Sequence, residues 1–340
     1  GDLPARIAGR MAVDRYHNGC AVGRGTHSAS APRRWHSRAI CGDAVSPQLS
    51  LELIVRSAGA LLLVQDAGRA GLLGQGVSPS GFADAASATR ANRLVGNPEG
   101  AAMLESLFGG VELEVVGAEA TIAVSGVEAQ IEVEVEGVAH EVSTESPIPV
   151  PAGGVLRIGQ CTAGLRAMIA VRGGIDATPV LGSRSYDTLA GLGPVPVTAG
   201  DRMRIGSAAM AWPSVEHAVV PGPPSPVETL VLEFRWGPRD DRLTSVGRAA
   251  LLDHRIVSAR ANRVGVRLDG APIETLDAPL PSEPTISGAI ELPTDGIPFV
   301  LGRDHPVTVG YPVVGVVDAA SLNRLMQARP GTPVRFVSIA

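Results

Sequence analysis

The residues most able to do chemistry lie between positions 65 and 105. Gln65, Asp66 and Arg69 follow an apolar, strand-like run at 60–64, and Gly68, Gly71, Gly74 and Gly76 then interrupt regular structure repeatedly. Polar groups on a loop between a strand and a helix are placed as binding and catalytic groups commonly are. An arginine there can clamp a carboxylate through its two-pronged fork, or it can pair with Asp66 or Asp84 and hold the loop. Ser183, Arg184, Ser185 and Asp187, between Gly182 and Gly191, make a second polar loop, able to bind an anion or to satisfy its own backbone. Asp304 beside His305 offers an acid–base pair or a structural histidine.

These groups need a scaffold. Ser78-Pro79-Ser80-Gly81 is a turn signal, and Asp84 predicts an N-cap for a helix running to about Val95, stopped by Gly96 and Pro98. Residues 51–55 alternate and, after Ser57-Ala58-Gly59, lead into 61–64, predicting a hairpin that feeds the loop. Val111, Leu113 and Val115, then Ile131, Val133 and Val135, alternate with glutamates, the pattern of half-buried strands with a solvated face. The nearly continuous apolar run 165–171 predicts a central strand. Residues 149–159 match 196–206 at seven of eleven positions, with a weaker echo at 329–336, each a tight turn delivering a strand. Further on, the pattern predicts a helix over 245–253, a turn at 293–296, and a last helix capped by Asp318 through about Gln327.

Composition narrows the function classes. The chain has 340 residues with 41 Gly and 27 Pro, and aromatics are 3%. That favours a mainly β fold with a few short helices. All 29 basic residues are Arg, so no Schiff-base, phosphate-loop or biotinylated lysine exists within the chain. Residues 1–50 carry seven Arg against three acids; the net charge of −5 therefore leaves the body at −9, which argues against nucleic acid as a partner. No apolar run approaches the ~18 residues of a membrane span, and three cysteines make no disulfide framework. We read the protein as cytoplasmic. His17, Cys20, His27, His36 and Cys41 fit no zinc spacing, so no metal is expected. Residues 1–50 read as an extension, 51–210 as a first domain, the Pro-rich 211–227 as a linker and 228–340 as a second domain. No nucleophile elbow, phosphate loop or dinucleotide fingerprint is present.

Over roughly residues 51–337 the chain resembles the biotin-dependent carboxyltransferase / 5-oxoprolinase C-subunit family, also called allophanate hydrolase subunit 2. The resemblance is carried by 64–71 (Val-Gln-Asp-Ala-Gly-Arg-Ala-Gly), 76–81 with Asp84, 91–97 (Ala-Asn-Arg-Leu-Val-Gly-Asn), Leu104-Glu105, 173–176, 181–185 with Asp187, 237–241, 265–270, Ser282-Glu283 and 310–312. It implies two cyclophilin-like β-barrel domains and a site between them. It also implies a B-type partner of similar fold and, with a TIM-barrel-like A-type partner, ATP-dependent opening of the lactam of 5-oxoproline to glutamate. ATP would be bound by the assembled complex or another of its chains. Relatives fused into urea amidolyase imply a second activity, transfer of carboxyl from carboxybiotin carried on another chain. Others imply a third role, a non-catalytic protein that antagonises a B-type kinase inhibitor.

By this resemblance Gln65, Asp66, Asp304 and Tyr311 are the catalytic candidates. Arg69, Ser80, Asp84, Asn92, Arg184, Asp187, Asp240, Arg260 and Thr308 are the substrate-binding ones. The chain departs from the family at 290–293, where Ile-Glu-Leu-Pro replaces the usual Ile-Gln-Val-Pro. It departs again at 304–312, where Pro306, Val307 and Val309 replace Gln, Thr and Gly. Pro306 removes an amide donor and Val309 prevents close backbone approach.

Overall fold

Alternation of apolar and charged residues makes the first half of the chain a stack of strands. The structure is a computed structural model describing residues 50–212, 222–276 and 280–339. The expected extension, its cysteines and histidines, and most of the expected linker lie outside the described residues. The first half contains β1 (Glu52–Ala58), β2 (Leu61–Gln65), α1 (Ala85–Leu94), β3 (Met103–Leu107), β4 (Gly109–Val116), β5 (Ala120–Ser125), β6 (Ile131–Val135), β7 (Val138–Val142), β8 (Ile148–Val150), β9 (Val155–Gln160), β10 (Arg166–Val171) and β11 (Arg202–Arg204). They form a six-stranded sheet, β11-β1-β4-β9-β6-β7, and a five-stranded sheet, β2-β3-β10-β5-β8.

The two sheets bury their inner faces against each other through residues such as Leu53, Val55, Leu62, Val64, Leu113 and Ile169. On the outer face of the larger sheet, Glu112 and Glu134 pair with Arg157, so the glutamates are a solvated face. The alternation of β10 explains its unbroken apolar run. Ala167, Ile169 and Val171 face the inter-sheet core, while Met168 and Ala170 face α1, as in a strand buried on both sides. The three turns of the internal repeat each close with an i→i+3 hydrogen bond (Gly154 N to Pro151 O, Asp201 N to Thr198 O, Thr332 N to Arg329 O) and lead into β9, β11 and β20 (Pro333–Ser338).

One expectation is corrected. β1 and β2 do not pair as a hairpin: β1 pairs with β4 and β11, and β2 with β3. At Gly59, where φ is +61°, the chain turns from one sheet into the other, and an added Cβ would lie 2.1 Å from Gly109 O. Pairing each strand in a different sheet lets both bury their apolar residues in one shared core.

The second half contains β12 (Leu230–Trp236), α2 (Ser245–Leu251), β13 (Arg255–Val257), β14 (Gly265–Asp269), β15 (Glu283–Pro284), β16 (Ala289–Glu291), β17 (Phe299–Leu301), β18 (Thr308–Val309), β19 (Val313–Val317), α3 (Ala319–Met326) and β20. Seven of these strands close a barrel in the order β12-β19-β16-β17-β14-β13-β20, sealed by parallel pairing of β12 with β20. Phe234 and Phe336 meet edge to face at 5.6 Å in its interior. The mainly β expectation is met. Where two barrels were expected, the closed barrel is in the second half, and the first half is the pair of facing sheets.

Both predicted caps are in place. Asp84 accepts from Ser87 N and Asp318 from Ser321 N. The alanine-rich α1 lies between the five-stranded sheet and the barrel. Ala88, Ala91 and Leu94 belong to the same apolar cluster as Leu325, Met326 and Phe336, so the two halves share one core.

Candidate functional site

The loop after β2 is pinched shut by its own backbone. Arg69 N donates to Pro79 O and Phe82 N to Asp66 O, while Ser80 (φ +51°) and Gly81 (φ +93°) take left-handed conformations that close the turn. The pinch directs side chains onto residues 180–192. Asp66 Oδ1 accepts from Ser183 Oγ, Ser185 Oγ and Gly68 N, and its Oδ2 accepts from Arg184 N at 2.6 Å. Gln65 Nε2 donates to Tyr186 O at 2.8 Å. Arg69 reaches neither Asp66 nor Asp84; its guanidinium donates to the carbonyls of Val180, Ser185 and Leu192.

A buried ion-pair network lies beside this loop. Arg263 binds Asp304 with two prongs, at 2.9 and 3.0 Å, and also donates to Glu105 Oε1 at 2.6 Å and to Gly81 O. Asp304 further accepts from Ser80 Oγ, Thr188 N and Thr188 Oγ1. Glu105 Oε2 accepts from Ala83 N, and Arg166 approaches Glu105 at 3.7 Å. Burial pulls the Arg263 guanidinium down, but Glu105 and Asp304 outweigh it and hold it above its ordinary value. Burial alone would raise Asp304; Arg263 and the hydrogen bonds hold it below the usual carboxylate range. At Arg166 burial, reinforced by the charge of Arg263, outweighs the attraction of Glu105, Asp304 and Asp84 and pulls the guanidinium down to about 10.

Above this network a cleft of about 310 Å³ opens between the halves. Its walls are Leu61, Leu63, Leu107, Leu189, Ala261 and Val264, and its polar lining is Glu105, Arg166, Thr188, Asn262 and Arg263. Asn262 Oδ1 accepts from Val264 N and Gly265 N, which leaves its Nδ2 donors for the cleft. The cleft is thus an apolar slot whose floor carries Arg166 and Arg263 beside the carboxylate of Glu105, and Arg166, the less tightly paired of the two, could meet the anionic group of a small ligand with a compact apolar body.

The structure brings Gln65, Asp66, Arg69, Ser80, Arg184, Asp187 and Asp304 together around residues 180–192. All but Arg184 are buried, and none of the seven lines the cleft. Arg184 Nε donates to Ala177 O. Asp187 Oδ1 accepts from Leu189 N and Ala190 N, and burial together with the charge of Asp304 pushes its carboxyl up. Beside it His305 is fully buried, held by Pro306 O, and pushed below its ordinary value by burial.

The other predicted residues lie apart. Asp84 caps α1 and binds Gln327 Nε2. Asn92 donates to the carbonyls of Glu99 and Ala101. Asp240 pairs with Arg248 at 2.8 Å, and Arg260 stands near Asp295. Thr308 pairs with Pro284 between β15 and β18. Tyr311 lines a separate hollow of about 690 Å³ with Arg242, Leu276 and Leu292. Among the described residues no group of three His, Cys, Asp or Glu is placed to hold a metal ion.

Arg166, Thr188 and the pairing role of Glu105 were not anticipated. The available signal was a lone carboxylate and a lone guanidinium in otherwise apolar strands, at 103–107 and 166–171, since charges so placed are seldom buried without a partner. These strands pair in the register Arg166↔Leu107, which only the fold supplies.

The comparisons with known proteins agree with this architecture. The model of the family described as carboxyltransferase domain, subdomain A and B, matches residues 75–338. The chain is 32% identical to the C subunit of the 5-oxoprolinase of Escherichia coli (strain K12) over 297 residues, covering 82% of this chain and 89% of that protein. Among solved structures, TTHA0988 superposes with a TM-score of 0.73 at 34% identity, over 86% of this chain and 56% of that one. The urea amidolyase of K. lactis superposes with a TM-score of 0.78 at 28% identity, over 88% of this chain and 19% of that one. The chain therefore spans a little over half of the first solved relative and about a fifth of the second. With the family model matching well over half its length and a relative at 32% identity matched over 82% of this chain and 89% of its own, the chain belongs to the carboxyltransferase domain family, subdomain A and B.

Proposed function

We propose that the chain is the C-type component of an ATP-dependent 5-oxoprolinase-type complex that opens the lactam of 5-oxoproline to glutamate. The observation that carries this reading is the cleft, where a small lactam ring suits the leucine-lined walls and its carboxylate suits Arg166 at the floor. The 32% identity with the C subunit of the 5-oxoprolinase of Escherichia coli supports it.

In this reading Arg166 holds the substrate carboxylate. Its Nη1 donates to Met326 O and its Nε faces Glu105, and Nη2 is the donor this reading assigns to the substrate. Thr188 Oγ1 spends its proton on Asp304, leaving its oxygen to accept the lactam N–H, and Asn262 Nδ2 donates to the lactam carbonyl. Asp304, itself held by Arg263, positions Thr188 and is not in contact with substrate. Ring opening adds water across the C–N bond, and the partner of similar fold together with an A-type partner supplies the rest of the site.

ATP does not fit the residues present. The cleft is small, and the chain has no lysine and no glycine loop of the phosphate-cradling kind. The nucleotide is assigned to the assembled complex. Under the carboxyltransferase alternative, the same lack of lysine puts biotin on another chain.

The test is glutamate release from 5-oxoproline and ATP by the complex reconstituted with its B- and A-type partners. The intact complex turns over, and the isolated chain does not. Arg166→Lys keeps the charge but loses the fork, and is expected to raise KM on the order of 10- to 100-fold, the equivalent of one charged hydrogen bond. A reconstituted complex that leaves 5-oxoproline intact but carboxylates urea from carboxybiotin would overturn this assignment.

A further inference from the structure

Strand β10 loses one of its two strand partners where Arg166 stands. β5 pairs with it from Val171↔Ile122 to Met168↔Ser125 and then departs, because Gly126 takes φ +87° and turns its N–H to Glu145 Oε1. On the other side β3 continues as far as Arg166↔Leu107. Where β5 departs, a side chain from the second half of the chain stands in for it. Gln327, the C-cap of α3, is 2% exposed. Its Oε1 accepts from Leu165 N at 3.0 Å and Arg166 N at 2.8 Å, and its Nε2 donates to Arg166 O at 2.9 Å. A strand residue opposite Arg166 in a hydrogen-bonded antiparallel pair would make the same exchange with its N–H and C=O.

The amide is itself held fast. Its second Nε2 proton goes to Asp84 Oδ2 at 3.0 Å, so both donors and the acceptor are in use. The side chain of Arg166 is tied to the same turn, since its Nη1 donates to Met326 O at the end of α3, where helix carbonyls lack intrahelical partners. Two residues beyond Gln327, Arg329 donates to Cys161 O and Thr162 O and lies 5.4 Å over the ring of Phe108. That fastens the chain leaving α3 to the segments just before β10 and just after β3. Arg166 is therefore carried by the sheet but placed by α3, through its backbone and its side chain together. Such support matters because a charged binding group acts well only when its surroundings fix it to within about 0.5 Å.

We infer that Gln327 is a positioning residue for Arg166: it fixes where the guanidinium meets an anionic group in the cleft and does not touch the ligand. This rests on the substrate role given to Arg166 above. Gln327 is absent from the cleft lining, so any effect it has on substrate passes through Arg166. The site is also shaped to admit the amide. An added Cβ at Gly126 would lie 2.6 Å from Gln327 Nε2, and glycine keeps that space open. The other end of β10 supplies a comparison within the same strand. There Asn97, also buried, donates from Nδ2 to Val171 O at 2.8 Å and accepts at Oδ1 from Gly173 N at 2.8 Å. The two amides brace one strand in the same manner, but only Gln327 bonds Arg166.

The experiment measures KM and kcat for 5-oxoproline in the reconstituted complex carrying Gln327→Met, Arg166→Lys, the two together, or Asn97→Leu. Gln327→Met keeps the shape of the side chain and removes its hydrogen bonds. It is expected to raise KM about tenfold or more with kcat within about twofold, the signature of lost substrate binding. In the double variant the two increases should not multiply, because both act through one guanidinium. Asn97→Leu removes the matching amide and should leave KM within about twofold of the wild type. If Gln327→Met does not fold, Gly126→Ala, which keeps the amide but displaces it, replaces it in the same measurements. An unchanged KM, a loss confined to kcat, increases that multiply in the double variant, or an equal rise in Asn97→Leu each overturns the positioning role and leaves the proposed function standing. An unchanged KM in Arg166→Lys overturns the substrate role of Arg166 and this inference with it.

Discussion

At the scale of the residue, the charged groups divide by whether burial is compensated. Asp66 and Asp304 are buried with every oxygen accepting from a donor, and Arg263 is buried with both carboxylates in reach. Glu291 is the contrasting case. It is 3% exposed, its Oε1 has no partner, and its carboxyl is pushed up to about 7 by burial alone. It lies at a register shift between β16 and β19, beside the apolar Ala289, Leu301 and Val313. The unfolded chain loses this proton near 4.5, while the folded one retains it to about 7. Between those values the unfolded state binds fewer protons, so the stability of the fold falls as pH rises, by about 1.4 kcal/mol per pH unit at most. Below 4.5 the cost is absent; above 7 it is constant. Glu291→Gln should remove this slope and stabilise the protein at pH 8, as read from urea midpoints measured between pH 5 and 8. Equal pH dependence in the variant and the wild type would show that Glu291 is not desolvated.

At the scale of the element, the junction between β3, β10 and the segment before β14 depends on Arg263. Its guanidinium joins Glu105 on β3, Gly81 ahead of α1 and Asp304 beyond β17. Removing one member of a buried ion-pair set leaves its partners charged and desolvated, at a cost of about 3–5 kcal/mol. Arg263→Met should therefore lower stability by that amount in urea unfolding, and adding Glu105→Gln should restore part of it by removing a stranded charge. If the double variant is no more stable than the single one, Glu105 and Arg263 are not energetically coupled. The same junction explains Gly126, whose added Cβ would lie 2.6 Å from Gln327 Nε2. Gln327 fastens the end of α3 to β10 through Leu165 N and Arg166 N.

At the scale of the whole molecule, the shared apolar core and the Arg263 network join the halves of the chain. A contact surface of that kind, apolar and threaded by buried charge, does not behave as a loose interface between independently stable domains. The residues from 50 onward should therefore unfold in one transition, with the calorimetric and van't Hoff enthalpies in agreement. Two resolved transitions, or a stable isolated 228–340 segment, would mean that the halves fold independently.

Much of the fold is legible in the sequence because its signals are local. Alternation marks β4 and β6, the unbroken run marks β10, and Asp84 and Asp318 mark the starts of α1 and α3, since period and capping depend on neighbours a few residues away. Composition alone disfavours nucleic acid and rules out lysine chemistry. The stretch 65–84 stands out in the sequence as unusual, but its geometry is not legible there. The partners of Asp66 and Arg69 lie more than a hundred residues away, at 180–192, and no periodicity encodes such a contact. The hairpin expected at 51–64 fails for the same reason, because which sheet a strand joins is set by its distant neighbours. The cleft with Arg166 at its floor and the pairing of Glu105 with Arg263 are decided only by tertiary structure, which brings residues far apart in sequence into one low-dielectric space where unpaired charge is costly.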